Sequence, residues 1–305
     1  MKLMSLGKNG VRIASRGFVL TLFILCALIA PAFSSNSFDH PAAGCQSQPL
    51  SQDASRVLTP LQREIEKQRR RLASSDAEER RDAVMRLGQM KRPDSSRVAA
   101  SALHDPSAIV RATAAQAVLS LPPVEAAAAL LPLLQDRDEF ARREAAYALG
   151  QTRSRAALPA LVNLLSQDKK ESVRSSAAVA LGEIGDETAV IPLTQALNAR
   201  RRVSSGFLIK RRRTKPENEF VRRAAARSLG QIGSRQGVQT LIAVLNDEQS
   251  GDDVRREAAE ALGLIGDPAA IPHLRAALTA RDPYLSRTAF AALHKIDSAS
   301  AKSPL

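Results

Sequence analysis

Along residues 57–296 the apolar positions return three or four residues apart, the period of an amphipathic helix and not the alternation of a strand. The pattern itself repeats. Val173-Arg174-Ser175-Ser176-Ala177-Ala178-Val179-Ala180-Leu181-Gly182 recurs as Val221-Arg222 through Leu229-Gly230 and as Val254-Arg255 through Leu262-Gly263. Looser copies run from Val110 to Leu119, from Ala141 to Gly150 and from Leu285 to His294, with a degenerate copy from Arg80 to Gly88. The positions equivalent to the closing glycine are 88, 119, 150, 182, 230, 263 and 294, spaced by 31, 31, 32, 48, 33 and 31 residues. A fixed period of this length marks a stack of supersecondary units. The one long interval marks an insertion.

Each unit predicts two helices. The first has the form Ala189-Val190-Ile191-Pro192-Leu193, followed by Ala196-Leu197. Ser154, Asp186, Ser234 and Asp267, each four residues past a glycine position, are N-cap types whose oxygens accept orphan backbone N–H groups. Pro159, Pro192 and Pro272 fall just inside these starts, where a missing N–H is tolerated. The second helix carries the Val-Arg text. Its alanines allow close helix approach, and Leu181 and Ile184 supply its apolar stripe. Neither helix buries its stripe alone, so stability comes from stacking neighbours.

The text Val-Arg-x-x-Ala-Ala-x-Ala-Leu-Gly-x-Ile-Gly-Asp, read at 173–186 and 254–267, resembles the HEAT repeat, in the short variety also found in phycobilisome lyase subunits. The resemblance covers about residues 57–296. It implies an all-α fold, an α-α superhelical solenoid of about seven helix pairs, with the Val-Arg helices lining a concave face. Leu58, Leu61, Ile65 and Leu72 are expected in the opening helix, and the last unit is expected to end near Ile296, leaving 297–305 as a disordered tail.

Composition fits this reading. Aromatic residues make up 3% of the chain and there is no Trp, which argues against sandwiches and barrels. The N-terminus has a separate job. Lys2, Lys8, Arg12 and Arg16 precede a 13-residue apolar run from Phe18 to Ala30, and Ala32-Phe33-Ser34 offers a small-residue cleavage site. Residues 1–34 therefore read as a secretory signal peptide or an uncleaved signal anchor. Residues 35–56, rich in Ser, Gln, Ala and Pro, read as a flexible linker. Secretion or a periplasmic location follows, with N-terminal membrane anchoring as the variant. Cys45 lies in the linker after Ala42-Ala43-Gly44, only faintly like a lipobox, and reads as a free thiol.

No catalytic group, cofactor or metal is expected. The histidines His40, His104, His273 and His294 form no pair of ligand spacing. The HEAT-like deoxyhypusine hydroxylases hold iron with His-Glu pairs; here Asp105, Leu274 and Lys295 follow the last three histidines, so that activity is set aside. Gly-rich phosphate loops and nucleophile elbows are missing from the text as well. Asp105/Arg111, Asp136/Arg142 and Asp168/Arg174 share a spacing of six, across the turn between paired helices. They read as a structural ladder that ties turns together, in preference to an anion-binding row.

The insertion at 200–215 holds eight basic residues and no acidic one: Arg200, Arg201, Arg202, Lys210, Arg211, Arg212, Arg213 and Lys215. The whole chain carries +13; without residues 1–32 it carries +9, of which this segment supplies +8. Such a local patch attracts anions. A short hairpin with Ser205-Gly206 at its tip and Val203 and Phe207 to Ile209 as arms is one conformation it admits; a solvated insertion without a partner is another. Its candidate partners are an anionic membrane surface, an acidic protein groove or a polyanion, with nucleic acid ranked lower because the signal directs the chain out of the cytosol. On the expected concave face, Arg81, Arg143, Tyr147, Arg223, Arg227 and Arg256 alternate with Glu144, Glu183, Glu257 and Glu260. Arg143, Tyr147, Arg223, Arg227 and Arg256 have a hot-spot composition for an unidentified protein partner. The leading expectation is a non-catalytic, exported interaction scaffold. A subunit or enzyme of the lyase-like group and a polyanion or membrane binder are the alternatives.

Overall fold

A computed structural model describes residues 58–202 and 214–301. Fourteen helices occupy the described residues and pair in chain order. The pairs are α1 (Pro60–Arg71) with α2 (Ala77–Gln89), α3 (Pro93–Ala99) with α4 (Ala108–Ala117), and α5 (Pro123–Leu130) with α6 (Glu139–Thr152). They continue with α7 (Leu158–Gln167) and α8 (Glu171–Ile184), then α9 (Val190–Asn198) and α10 (Glu219–Ile232). The last are α11 (Val238–Asn246) with α12 (Asp252–Ile265), and α13 (Ile271–Ala277) with α14 (Pro283–Ala301). The fold is an all-α solenoid of seven pairs.

Asp186, Ser234 and Asp267 accept backbone N–H bonds two residues on, so they cap. What they cap is a 3-10 turn that leads into the α-helix. Ser154 holds the same place without a side-chain cap bond. The prolines sit in the first turn of α7, α9 and α13. At the other end of the unit, α8, α10 and α12 close on Gly185, Gly233 and Gly266 at φ +72° to +74°. Arg153 adopts φ +51° at the matching place after α6, a conformation a side chain adopts at some cost.

The second helices form the tighter layer, contacting their neighbours far more extensively than the first helices do. A two-layer stack with unequal spacing bends toward its closer layer, which puts the Val-Arg helices on the inner side. The repeat glycine makes that spacing available. A Cβ on Gly150 would stand 2.7 Å from Ala180 Cα; on Gly230, 2.7 Å from Ala261 Cα; on Gly263, 2.7 Å from Ala292 Cα. Between the layers lies one continuous core that includes Leu87, Leu149, Leu181, Leu229 and Leu262. Truncating such a leucine to alanine costs about 2–5 kcal/mol.

Two expectations change, at the opening helix and at the end of the last unit, and a third falls outside the described residues. Leu58 precedes the N-cap Thr59 and is exposed, and Leu61 is exposed as well. Only Ile65 of the four opening residues is fully buried, because no helix among the described residues covers the far side of α1. In their place Gln68 is buried, bonded to Glu64 and Arg71. Helix α14 continues to Ala301, five residues past the expected end of the last unit, so 297–301 are helical and not a disordered tail. In the insertion, β1 (Arg200–Arg202) pairs antiparallel with β2 (Thr214–Pro216), in register Arg200–Pro216, Arg201–Lys215 and Arg202–Thr214. The expected hairpin arms at Val203 and Phe207 to Ile209, its tip, and Lys210 to Arg213 lie outside the described residues.

Candidate functional site

Each second helix sets one stripe toward the inner face, at spacings of three, four and seven residues. On α6 it is Phe140, Arg143, Glu144 and Tyr147; on α10, Phe220, Arg223, Ala224 and Arg227. On α12 it is Asp253, Arg256, Glu257 and Glu260, and on α14 Tyr284, Arg287, Thr288 and Ala291. Helix α8 offers Ser172, Ser175, Ser176 and Val179 instead, a low-charge stretch between two charged ones.

The aromatic members stand out. Phe220 is 66% exposed, Tyr284 65% and Tyr147 41%. Arg143 lies over the Phe140 ring at 4.7 Å, and Arg256 over Tyr284 at 5.2 Å. These are cation–π contacts that hold an arginine flat against an apolar surface. Phe140, Phe220 and Tyr284 were not singled out from the sequence. The signal was present: all three lie two residues before the ladder position of their unit.

The arginines expected to bind a partner already have neighbours. Arg223 contacts Asp253 at 3.1 Å and Glu257 at 3.7 Å, and Arg227 meets Glu257 at 2.5 Å. Arg256 bridges Asp253 and Asp282, the latter at 2.6 Å. Arg143 pairs with the adjacent Glu144. The Arg223, Arg227 and Arg256–Asp282 contacts run forward, from a cation on one unit to an acid on the next, whereas Arg256–Asp253 and Arg143–Glu144 lie within one helix. Arg223–Asp253 and Arg143–Glu144 are exposed enough to be worth at most about 1 kcal/mol, whereas Glu257 is buried and little of the Asp282 carboxylate reaches solvent. A groove of about 490 Å³ runs between α12 and α14, lined by Arg256, Glu260, Tyr284, Arg287, Thr288 and Lys295 among others.

The ladder residues are brought together in a different geometry from the spacing of six. Within a unit that spacing joins an arginine to a backbone carbonyl: Arg111 donates to Asp105 O at 2.8 Å, Arg142 to Asp136 O at 2.8 Å, and Arg174 to Asp168 O at 2.8 Å. The ion pairs run between units. Arg80 forks onto Asp105, Arg111 onto Asp136 and Arg142 onto Asp168, with Nε–Oδ2 distances of 2.6–2.7 Å. One oxygen of each carboxylate also accepts the backbone N–H two residues on. The carboxyls of Asp105 and Asp136 are held below their usual range by these arginines. At Asp168 burial pushes upward, and the bonds from Arg142 and the Lys170 N–H outweigh it, so its carboxyl is lowered too.

The insertion displaces the next rung. Arg174 pairs with Glu217, just beyond β2, at 2.6 Å, and both are buried. Arg222 finds no carboxylate; it donates to Leu197 O and to Ser250, whose hydroxyl passes the contact to Asp247. Burial lowers the Arg222 guanidinium from its ordinary value. Arg200 is exposed at the start of β1. With Glu217 it borders an apolar cleft of about 300 Å³ between α7 and α9.

Glu183 differs from the other inner-face acids. Burial raises its carboxyl above the usual range, and its Oε2 has no hydrogen-bond partner among the described residues. No group of three or more His, Cys, Asp or Glu side chains with metal-binding geometry occurs among the described residues, nor does a helix long and apolar enough to cross a membrane.

A sequence profile described as HEAT repeats matches residues 65–150, 127–204 and 207–294, most of the chain. The protein belongs to the HEAT repeat family. Among solved structures, this HEAT chain is similar to Escherichia coli YibA, a structural genomics target: 22% identity, 77% of this chain, 82% of that one and a TM-score of 0.54. It is also similar to the CpcE–CpcF complex of phycocyanin lyase from Nostoc sp. PCC7120, at 22% identity, 86% and 99% coverage and a TM-score of 0.47. Human deoxyhypusine hydroxylase in complex with glycerol aligns at 20% identity, 77% and 96% coverage and a TM-score of 0.34. No curated protein sequence matches the chain. At these identities the likeness concerns the fold.

Proposed function

We propose that this protein is a non-catalytic scaffold, exported to the cell envelope, that holds a protein partner along the stripe its second helices set on the inner face. One observation carries the reading: exposed aromatic rings and arginines line that stripe together, Tyr147 with Arg143 on α6, Phe220 on α10, Tyr284 beneath Arg256 on α14. Rigid aromatic and arginine anchors on a preformed surface supply binding energy at low entropic cost. Export rests on the basic and then apolar N-terminal pattern. The test is capture from envelope extract with wild type and with an Arg143→Ala/Tyr147→Ala/Phe220→Ala variant. A partner recovered by wild type and lost by the variant is expected. Equal recovery by both, or no recovery by wild type, refutes the scaffold.

A second reading has its own support. The pairing of β1 with β2 sets two basic flanks of the insertion side by side, Arg201 opposite Lys215. This concentrates charge for an anionic membrane surface or a polyanion. Sedimentation with phosphatidylserine vesicles, before and after excision of 203–213, tests it. Unchanged sedimentation removes the insertion from the mechanism.

A further inference from the structure

The forward direction of the inner-face ion pairs has a consequence at the C-terminal end. Arginines on α10 take up acids on α12, and Arg256 on α12 takes up Asp282 at the entry to α14. Helix α14 is the last described helix, and its own cations face no following acid among the described residues. Arg287 stands at the same repeat position as Arg223 and Arg256, yet it makes no ion pair among the described residues. Lys295, two turns further along, makes none either. Both are exposed and line the groove between α12 and α14, with Ala291 leaving the wall open between them. On the opposite wall Glu257 is bonded to Arg227 at 2.5 Å and Asp253 to Arg223 at 3.1 Å, which leaves Glu260 as the one lining acid without an ion pair among the described residues, against Arg287 and Lys295. The exposed Tyr284 ring, flattened by Arg256, floors one end.

We infer that this groove is a docking site for an acidic, extended peptide segment of a partner protein. The inference rests on the scaffold reading of the inner face and names the chemistry of its occupant. Eight residues of α14 separate the two cations, a rise of about 12 Å. Carboxylates four residues apart on one side of an extended peptide span about 13 Å. Two acids in that register meet Arg287 and Lys295 together, and an apolar residue two positions before the first acid meets Tyr284. Charge complementarity selects the segment, and the ring fixes its direction.

The probe is a fluorescein-labelled peptide, Leu-Gly-Glu-Gly-Ser-Gly-Glu, titrated into the full-length protein and read by anisotropy. Its Gln-for-Glu counterpart serves as control. Saturable binding of the acidic peptide is expected, weakened as salt is raised from about 50 to about 500 mM. The Gln peptide should bind far more weakly. An Arg287→Gln/Lys295→Gln variant should bind the acidic peptide about fivefold more weakly, the effect of losing two exposed ion pairs. Both positions are on the surface, so circular dichroism and melting of the variant should match wild type. Arg86→Gln, on the exposed surface of α2 and outside the stripe, should leave peptide binding unchanged. The assignment is overturned if the acidic peptide does not saturate, if the Gln peptide binds equally, or if the double variant binds as wild type does. It is also overturned if a single-stranded oligonucleotide displaces the peptide at lower concentration than unlabelled peptide does. Extract capture on the same double variant separates the two levels. A partner held equally by wild type and double variant, with no peptide binding, leaves the scaffold standing and removes the groove. Peptide binding of the expected pattern with no captured partner does the reverse.

Discussion

Removing one rung of the ladder tests whether neighbouring units are joined as the geometry requires. Arg111 is 7% exposed and gives Asp136 a forked contact at 2.6 and 2.7 Å, with two further bonds to the Asp105 and Pro106 carbonyls. Arg111→Met keeps the apolar stem and strands the Asp136 carboxylate, whose one remaining bond is from the Asp138 N–H. An uncompensated charge at such a site costs about 3–5 kcal/mol. Asp136→Leu strands the guanidinium and should cost a similar amount. The double variant strands neither group. It should recover most of the loss and lie within about 1 kcal/mol of wild type, since burying a pair costs desolvation that an apolar pair avoids. Urea unfolding of the four proteins, followed by circular dichroism, gives the cycle. Hydrogen exchange gives the location: faster exchange should be confined to α4, α6 and their neighbours, with α12 unchanged, because coupling in a stack is mostly nearest-neighbour. The reasoning is refuted if either single variant costs less than about 1 kcal/mol, or if the double variant loses the sum of the two.

Asp105, Asp136 and Asp168 titrate below their ordinary range in the folded chain, so their contribution is full above pH ~4 and disappears as pH falls through the lowered values. Acid melting should therefore steepen below pH ~4, and an Arg111→Met/Asp136→Leu chain should show less of that slope. Glu183 behaves oppositely, its carboxyl being raised: Glu183→Gln should raise the melting temperature at pH 7, with the gain fading below pH ~4.5. Gly230→Ala should lose about 1–3 kcal/mol despite alanine's better helix propensity, because the new methyl meets the Ala261 backbone at 2.7 Å; unchanged stability in urea would show that α10 and α12 are freer to part than the stack implies. Joining Arg202 to Thr214 through Asn-Gly should leave helical content and melting unchanged, since this ribbon lies outside the apolar core.

The repeat period and the seven pairs were legible because one physical requirement, close approach of second helices, recurs along the stack and holds the same position to Gly in five of the seven units. The ladder was legible as a set of residues but not as a geometry. A spacing of six within a unit pointed to Asp105 and Arg111 as partners, and Arg111 does reach Asp105, through its carbonyl. Its ionic partner is Asp136, 25 residues on, which only the stacking of units reveals. The aromatic row was missed because Phe140, Phe220 and Tyr284 occupy one repeat position in alternate units, with Ser172 and Asp253 between them. Arg287 and Lys295 were passed over for a related reason. Arg287 stands at an ordinary repeat position, and only the packing shows that it and Lys295 meet no acid among the described residues.

The last described helix presents a bulkier face than the six second helices before it. Along the stack, the position four after the ladder residue holds Val84, Ala115, Ala146, Ala178, Ala226 and Ala259, all buried. On α14 it holds Phe290, 56% exposed and edge-on to His294, which replaces the repeat glycine. Unit two also lacks that glycine, but α4 ends at Ala117 and Leu119 lies in a 3-10 turn, so no bulky helical position meets α6. Helix α14 runs straight through His294. An eighth unit docking in the register of the other seven would bring its small helix face to within about 3 Å of where the imidazole begins, closer than packed carbon atoms approach. On the same helix Arg287 and Lys295 make no ion pair among the described residues. Small residues at Phe290 and His294 would open this face to close packing, and a helix pair packed there would cover the cations on which the groove depends.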